Sequence, residues 1–122
     1  LSKFHECGIR TSLFIETNQA QIEAAAMAGA NRIELYTESF AVQHARIGND
    51  AAQPYTQAAK WAVEAGLGVN AGHDLNLSNL RDFCAKFPHL DEVSIGHALI
   101  SDALYLGLSN AVAQYRACLH VP

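Results

Sequence analysis

Residues 66–75 read GLGVNAGHDL, and residues 92–98 read EVSIGHA. Each stretch begins as a short apolar or β-branched run and closes on a glycine followed by a histidine, His73 in the first and His97 in the second. Short runs of this kind predict buried strands. A helix start follows each one, so the same dipeptide closes two successive strands of the chain.

Two further strand and helix units precede this pair. Residues 10–16 and 31–37 are β-branched and aromatic runs, which predict strands. The first leads into an alanine-rich helix over residues 19–28. After the second strand, residues 38–53 have no clear period and predict a long loop with at most one irregular turn. A helix then follows over residues 54–65, with Pro54 in its first turn.

Polar residues mark the expected helix starts. Thr17 or Asn18 can cap the first long helix, and Asn76 or Ser78 can cap the helix that ends near residues 87–88. Ser101 is the expected cap of the last helix. The apolar stripe of that helix consists of Leu104, Leu108, Val112 and Tyr115.

The predicted order is a strand and a helix repeated four times, with the last three strands at residues 31–37, 67–71 and 92–95. Connections long enough for helical crossovers predict parallel strands buried by helices. Such a pattern fits either a small doubly wound open sheet or half of an eight-stranded barrel. A separate four-stranded sheet would leave two edges that need covering or pairing.

Composition narrows the classes of function. The chain has 122 residues, of which 50% are hydrophobic, and its formal net charge is −4. It therefore suits one domain and argues against a general nucleic-acid or acidic-membrane surface. No apolar run approaches the ~20 residues of a membrane span. Three distant cysteines without a CxxC pair predict reduced thiols in a cytoplasmic protein.

The carboxyl ends of parallel strands face the functional side in both candidate folds, and His73 and His97 lie there. A histidine with an ordinary pKa near ~6.5 can transfer protons at physiological pH. Residues 96–101 lead into a helix start, where free amides and the helix dipole favour phosphate. Spacing alone leaves a structural role for both histidines equally open.

Glu34 lies in mid-strand between two apolar residues, where a carboxylate needs a partner. An ion pair and a role in acid–base chemistry are both open for it. The remaining histidines, at positions 5, 44, 89 and 120, are interpreted as surface residues. A metal site built on His73 and His97 lacks a third ligand, so no metal is expected. The chain begins without Met, on what looks like the end of a helix closed by Gly8, so we expect an N-terminal portion to be absent.

Residues 69–75 together with residues 92–100 resemble the pyridoxine 5'-phosphate synthase family. Residues 12–16 and 33–37 resemble the preceding strands of that family in the right order, and residues 102–112 fit its last helical region. The resemblance implies the C-terminal half of a (β/α)8 TIM barrel, with residues 1–122 forming one partial domain.

The family's enzyme is a transferase of vitamin B6, or pyridoxine, biosynthesis. It condenses 3-amino-2-oxopropyl phosphate with 1-deoxy-D-xylulose 5-phosphate into pyridoxine 5'-phosphate, phosphate and water. The resemblance implies these phosphorylated small molecules as partners, no metal or organic cofactor, no nucleic acid, no membrane, a cytoplasmic location and a homo-oligomer.

The resemblance also assigns roles to residues. It makes His73 a catalytic proton donor and Glu34 a catalytic residue that stabilises the transition state. Asp74, Gly96 and His97 match contacts to the phosphate of the amino ketone. Two positions depart from the family, since Asp74 and Glu38 stand where glycine is expected.

The resemblance places further catalytic groups in the other half of the barrel, so we expect this chain alone to be inactive. The alternative function is a non-catalytic βα domain that binds a phosphorylated metabolite through its two Gly-His sites.

Overall fold

The computed structural model describes residues 1–119 of the chain. These residues form one sheet of four strands, β1 Ser12–Ile15, β2 Arg32–Tyr36, β3 Gly68–Gly72 and β4 Glu92–Ser94. All neighbouring strands are parallel, in the order β1-β2-β3-β4. The prediction of four parallel strands in alternation with helices is confirmed. Because the chain crosses the sheet in one direction without reversal, it is wound as in half of a barrel.

The helices take the connections between the strands and both ends of the described chain. They are α1 Ser2–Glu6, α2 Gln19–Met27, α3 Glu38–Ile47, α4 Gln53–Glu64, α5 Leu80–Ala85, α6 His97–Leu106 and α7 Leu108–Leu119, with a 3₁₀ helix at Gly48–Ala52 between α3 and α4. No helix within residues 1–119 is long and apolar enough to cross a membrane.

Side chains alternate between the two faces of the sheet. On one face Ile33, Leu35, Val69 and Ala71 are all 0% exposed and belong to the core shared with the helices. Ile33 and Leu35 therefore lie on the opposite face of β2 from Glu34 and Tyr36. The opposite face, called the inner face below, carries mainly polar side chains at alternate positions.

The inner face is bridged from one edge of the sheet to the other. Arg10, just before β1, donates two hydrogen bonds of 2.8 and 2.9 Å to the carboxylate of Glu92 in β4. Three strand spacings in a flat sheet would amount to about 14 Å. Side chains that meet across that span indicate a sheet curved toward its inner face, as a segment of a barrel wall is.

The predicted loop over residues 38–53 is wrong, because α3 and the 3₁₀ helix occupy that stretch. Phe40 alone is fully buried in α3, and its ring packs against Tyr55 and Phe83. Tyr55 fixes the start of this helix, since its hydroxyl accepts the Phe40 N–H and donates to the carbonyl of Tyr36. A helix that buries one large side chain leaves no apolar period for sequence reasoning to detect.

Asn18 caps α2 as predicted, with its side chain accepting the N–H of Gln21. The predicted cap of α5 at Asn76 or Ser78 is wrong, because the N-cap is Asn79. Asn76 instead accepts hydrogen bonds from the backbone and hydroxyl of Ser78 within the preceding turn.

The prediction of one continuous last helix is also wrong. Its cap is not Ser101, since α6 begins four residues earlier at His97, and Gly107 with φ 77° separates it from α7. This break turns most of the predicted stripe outward. Only Tyr115 is buried at 4% exposure, whereas the exposed fractions of the others are Leu104 81%, Leu108 59% and Val112 38%.

Candidate functional site

The site lies at the carboxyl ends of β2, β3 and β4, where Thr37 ties two of the strands together. Thr37 is fully buried, and its hydroxyl donates a 2.6 Å hydrogen bond to the carbonyl of Gly72. Across the next gap, the N–H of His73 donates to the carbonyl of Ser94 at 3.2 Å. These bonds fix the three strand ends against one another, so the residues that follow them start from defined positions.

His73 has φ 96°, the only positive φ outside glycine within the described residues. Gly72 faces inward, because a Cβ there would meet Glu34, so regular alternation would turn His73 outward. The positive φ brings its imidazole back over the inner face, where it contacts Phe14 and Tyr36. Such a conformation costs of order 1–3 kcal/mol in a non-glycine residue, and strained residues of this kind cluster at functional sites.

Gly72 permits a close approach that no other residue type would allow. A Cβ at this position would lie 2.5 Å from the carbonyl oxygen of Ser94 and 2.9 Å from Oε1 of Glu34. In the space left open, the hydroxyl of Ser94 donates a 3.2 Å hydrogen bond to Oε2 of Glu34. Glu34 is thus held by a neutral donor, and the ion pair considered from the sequence is not formed within the described residues.

The rings of Tyr36 and Phe14 lie close to the imidazole of His73. The centroid of Tyr36 lies 5.3 Å from that of His73 in an edge arrangement, and Phe14 lies 5.2 Å from Tyr36 and 6.0 Å from His73. The hydroxyl of Tyr36 donates a 2.8 Å hydrogen bond to Glu38. That bond raises the pKa of Tyr36 from 10.0 to about 12, so the phenol remains protonated at neutral pH.

The second Gly-His pair forms the start of α6. Gly96 is the N-cap, its carbonyl accepts the N–H of Ile100, and His97 is the first helical residue. The amides of a first helical turn have no partner within their own helix. Asp74 lies on the other side, with Oδ2 3.6 Å from Nδ1 of His73, just beyond hydrogen-bond distance.

All five residues predicted from the sequence line one open cleft of about 580 Å³. The residues are Glu34, His73, Asp74, Gly96 and His97. The side chains of His73 and Asp74 are 55% and 44% exposed, so both are accessible. The cleft therefore offers an accessible imidazole, two carboxylates and a helix start within reach of one small molecule.

Sequence reasoning missed several members of this site. Ser94 holds Glu34, and Phe14, Tyr36 and Glu38 hold the surroundings of His73. Strand alternation was the available signal, since Phe14, Tyr36 and Ser94 each share the inner face with Glu34. Glu38 carried no such signal because it was assigned to a loop.

His5, His44 and His89 do not line the cleft. His5 and His89 are exposed as predicted, whereas His120 lies outside the described residues. The prediction for His44 is wrong, because its side chain is only 16% exposed, packs against Phe40 and bonds Asp82 at 2.8 Å. No group of three His, Cys, Asp or Glu side chains in residues 1–119 could hold a metal ion.

Comparisons with known proteins agree on one family. The family model described as "Pyridoxal phosphate biosynthesis protein PdxJ" matches residues 1–121. A pyridoxine 5'-phosphate synthase of Porphyromonas gingivalis is 56% identical over 116 residues, which are 95% of this chain and 49% of the relative. A protein of the same name from Bacteroides thetaiotaomicron is 51% identical over 119 residues, 98% of this chain and 50% of the relative.

The chain thus spans about half the length of the curated relatives it matches. The four βα units wound in one direction agree with half of a barrel. On a match over residues 1–121, the chain belongs to the PdxJ family of pyridoxal phosphate biosynthesis proteins.

Proposed function

We propose that this chain provides the C-terminal half of a pyridoxine 5'-phosphate synthase. The observation that carries the proposal is the convergence of His73, Glu34, Asp74, Gly96 and His97 on one cleft at the carboxyl edge of the sheet. The assembled enzyme condenses 3-amino-2-oxopropyl phosphate with 1-deoxy-D-xylulose 5-phosphate. The reaction closes the pyridoxine ring and releases phosphate and water.

This condensation needs repeated proton transfers and places for phosphate. His73 gives and takes protons in the proposal, since its imidazole is accessible and ordinary histidine titrates close to neutral pH. Glu34 stabilises positive charge that develops on the amine side of the substrate. Its carboxylate is oriented by the hydroxyl of Ser94, which donates a hydrogen bond to it.

The phosphate of the amino ketone binds at the start of α6, where the first-turn amides and the helix dipole favour an anion. Asp74 supports this contact through its backbone, and its carboxylate stays on the His73 side of the cleft. The remaining phosphate-binding and catalytic groups come from the other half of the barrel. The proposal includes no metal or organic cofactor, a cytoplasmic location and a homo-oligomeric assembly.

A hybrid enzyme tests this function directly. The matched half of the P. gingivalis relative is replaced by this chain, and formation of pyridoxine 5'-phosphate is measured against the unaltered relative. We expect a folded hybrid to turn over. His73→Ala should reduce kcat by about 100-fold or more, because general acid–base groups contribute 10²–10⁴-fold.

Two results would contradict the proposal. A hybrid with a cooperative thermal transition but no product would favour the non-catalytic phosphometabolite-binding domain. Near-normal turnover of His73→Ala in an active hybrid would remove the proton-transfer role. His89→Ala, at an exposed histidine outside the cleft, is the matched control and should keep the parental rate.

A further inference from the structure

Tyr36 is fixed at both of its ends, which distinguishes it from an ordinary half-buried aromatic residue. Its carbonyl accepts a 2.9 Å hydrogen bond from the hydroxyl of Tyr55, a residue only 3% exposed. Its own hydroxyl donates a 2.8 Å hydrogen bond to Glu38. The first bond fixes the backbone, and the second, together with the contacts to Phe14 and His73, limits the turning of the ring at the rim of an open site.

The fixed ring meets the one side chain of the site whose backbone is strained. Tyr36 lies edge-on to the imidazole of His73, with an interplanar angle of 82°. Phe14 closes a triangle with both rings. The side chain of His73 is 55% exposed, and its imidazole is contacted by these two rings and approached by the carboxylate of Asp74 at 3.6 Å. The two rings are therefore the main packing contacts that restrain its χ angles on the inner face.

We propose that Tyr36 and Glu38 are a positioning pair for His73, and that Phe14 supplies the second ring in contact with its imidazole. Glu38 fixes the phenol, the phenol ring fixes the imidazole, and the imidazole is thereby presented to substrate in one orientation. Tyr36 transfers no proton in this arrangement, since its hydroxyl is engaged by Glu38. This assignment rests on the proposed function of His73 as the proton-transfer residue.

The kinetic test uses the hybrid enzyme described above. Tyr36→Leu removes the ring, and we expect kcat to fall by up to about 100-fold, the loss that misplacing a catalytic group by about 1 Å can cause. KM for both substrates should change less than about twofold, because Tyr36 positions a reacting group and binds no substrate. Tyr36→Phe and Glu38→Ala keep the ring but free it, so each should lie between the parent and Tyr36→Leu.

Two further variants serve as matched controls. Glu38→Gln retains an oxygen that accepts the phenol hydrogen bond, and it should restore most of the rate lost in Glu38→Ala. Tyr105→Leu makes the same exchange at a tyrosine that is 89% exposed in α6, and it should leave kcat unchanged. Parental kcat in Tyr36→Leu would overturn the proposal, as would a loss confined to KM.

A second measurement separates this proposal from the function on which it rests. In the 122-residue chain, the imidazole C–H signals of His73 are assigned by NMR through His73→Ala. Tyr36→Leu and Glu38→Ala should move these signals and broaden them, whereas Tyr105→Leu should not. An inactive parental hybrid would refute the proposed function alone. Unmoved His73 signals in folded Tyr36 and Glu38 variants would refute the positioning pair alone.

Discussion

At the scale of single residues, Gly72 is the position that allows Glu34 and Ser94 to meet. We expect Gly72→Ala to destabilise the chain by about 1–3 kcal/mol, the usual cost of inserting a methyl group into a packed site. The reason is the 2.5 Å separation between the new Cβ and the backbone oxygen of Ser94, which a side-chain rotation cannot relieve. Urea unfolding measures the change.

Gly96→Ala is the matched control for this substitution. Nothing lies within 4 Å of a Cβ at Gly96, so this substitution causes no steric clash. Because glycine is a better N-cap than alanine, we expect a loss of less than about 1 kcal/mol, smaller than that of Gly72→Ala. Equal effects of the two substitutions would show that the strand ends are less closely packed than this structure has them.

The phenol of Tyr36 gives a second prediction for a single residue. Its pKa is raised from 10.0 to about 12, mainly because the anionic Glu38 accepts a hydrogen bond from the protonated phenol and opposes the phenolate. The stabilisation from this bond is therefore fully present below pH ~10, the ordinary tyrosine value, and is lost as the pH rises through about 12.

Ultraviolet titration measures this transition as the difference between the parent and Tyr36→Phe. Glu38→Gln removes the charge and should bring the transition down toward the ordinary value. A Tyr36 that already titrates near pH ~10 in the parent would contradict the hydrogen bond to Glu38.

The residues that line the cleft were more predictable than the side chains that pack around them. Gly-His at two strand ends and a carboxylate within a strand are visible as residue types, so His73, His97 and Glu34 could be named from the sequence. The contact of Tyr36 with His73 accompanies a positive φ at His73, a backbone state so uncommon outside glycine that the residue type does not predict it.

At the scale of elements, the α6–α7 pair shows where periodicity misled. One apolar period over residues 104–115 predicted a single helix, but Gly107 breaks it and reorients the second half. Tyr115 then packs inward, and its hydroxyl donates a 2.8 Å hydrogen bond to Asp102 of α6. Strands were predicted well because their period and their end signals agreed, whereas here the glycine and the period disagreed.

The α6–α7 pair gives a prediction that distinguishes two helices separated at Gly107 from the single helix predicted from the sequence. Tyr115→Phe should cost about 0.5–1.5 kcal/mol, the net worth of a hydrogen bond whose acceptor is left behind. Leu104→Gln should cost less than about 0.5 kcal/mol, because that side chain is 81% exposed. Thermal or urea unfolding of the two variants measures both losses of stability. If residues 104–115 formed one helix with a continuous buried stripe, Leu104→Gln would be the more destabilising change.

At the scale of the whole molecule, the sheet has a curved, polar inner face and two outer strands. Within residues 1–119, β1 and β4 each pair with one strand only. The hydrogen bonds from Arg10 lower the pKa of Glu92, so this carboxylate remains charged and bridges the inner face. Within residues 1–119 the outer edges of β1 and β4 are therefore unpaired, and the cleft at the strand ends is open.

Assembly is therefore the prediction for the whole molecule. We expect sedimentation velocity to show that the chain alone self-associates as its concentration rises. The reason is that unpaired strand edges can form backbone hydrogen bonds with the edges of other chains. Adding the unmatched half of the P. gingivalis relative in trans should shift it to a one-to-one complex and produce turnover. The chain without that half should yield no pyridoxine 5'-phosphate, since its cleft is lined only by residues from β2, β4 and the segments that follow β3 and β4. This prediction would be contradicted if the chain remained a monomer at all concentrations and did not bind the added half. Product formed by the chain alone would contradict it more strongly.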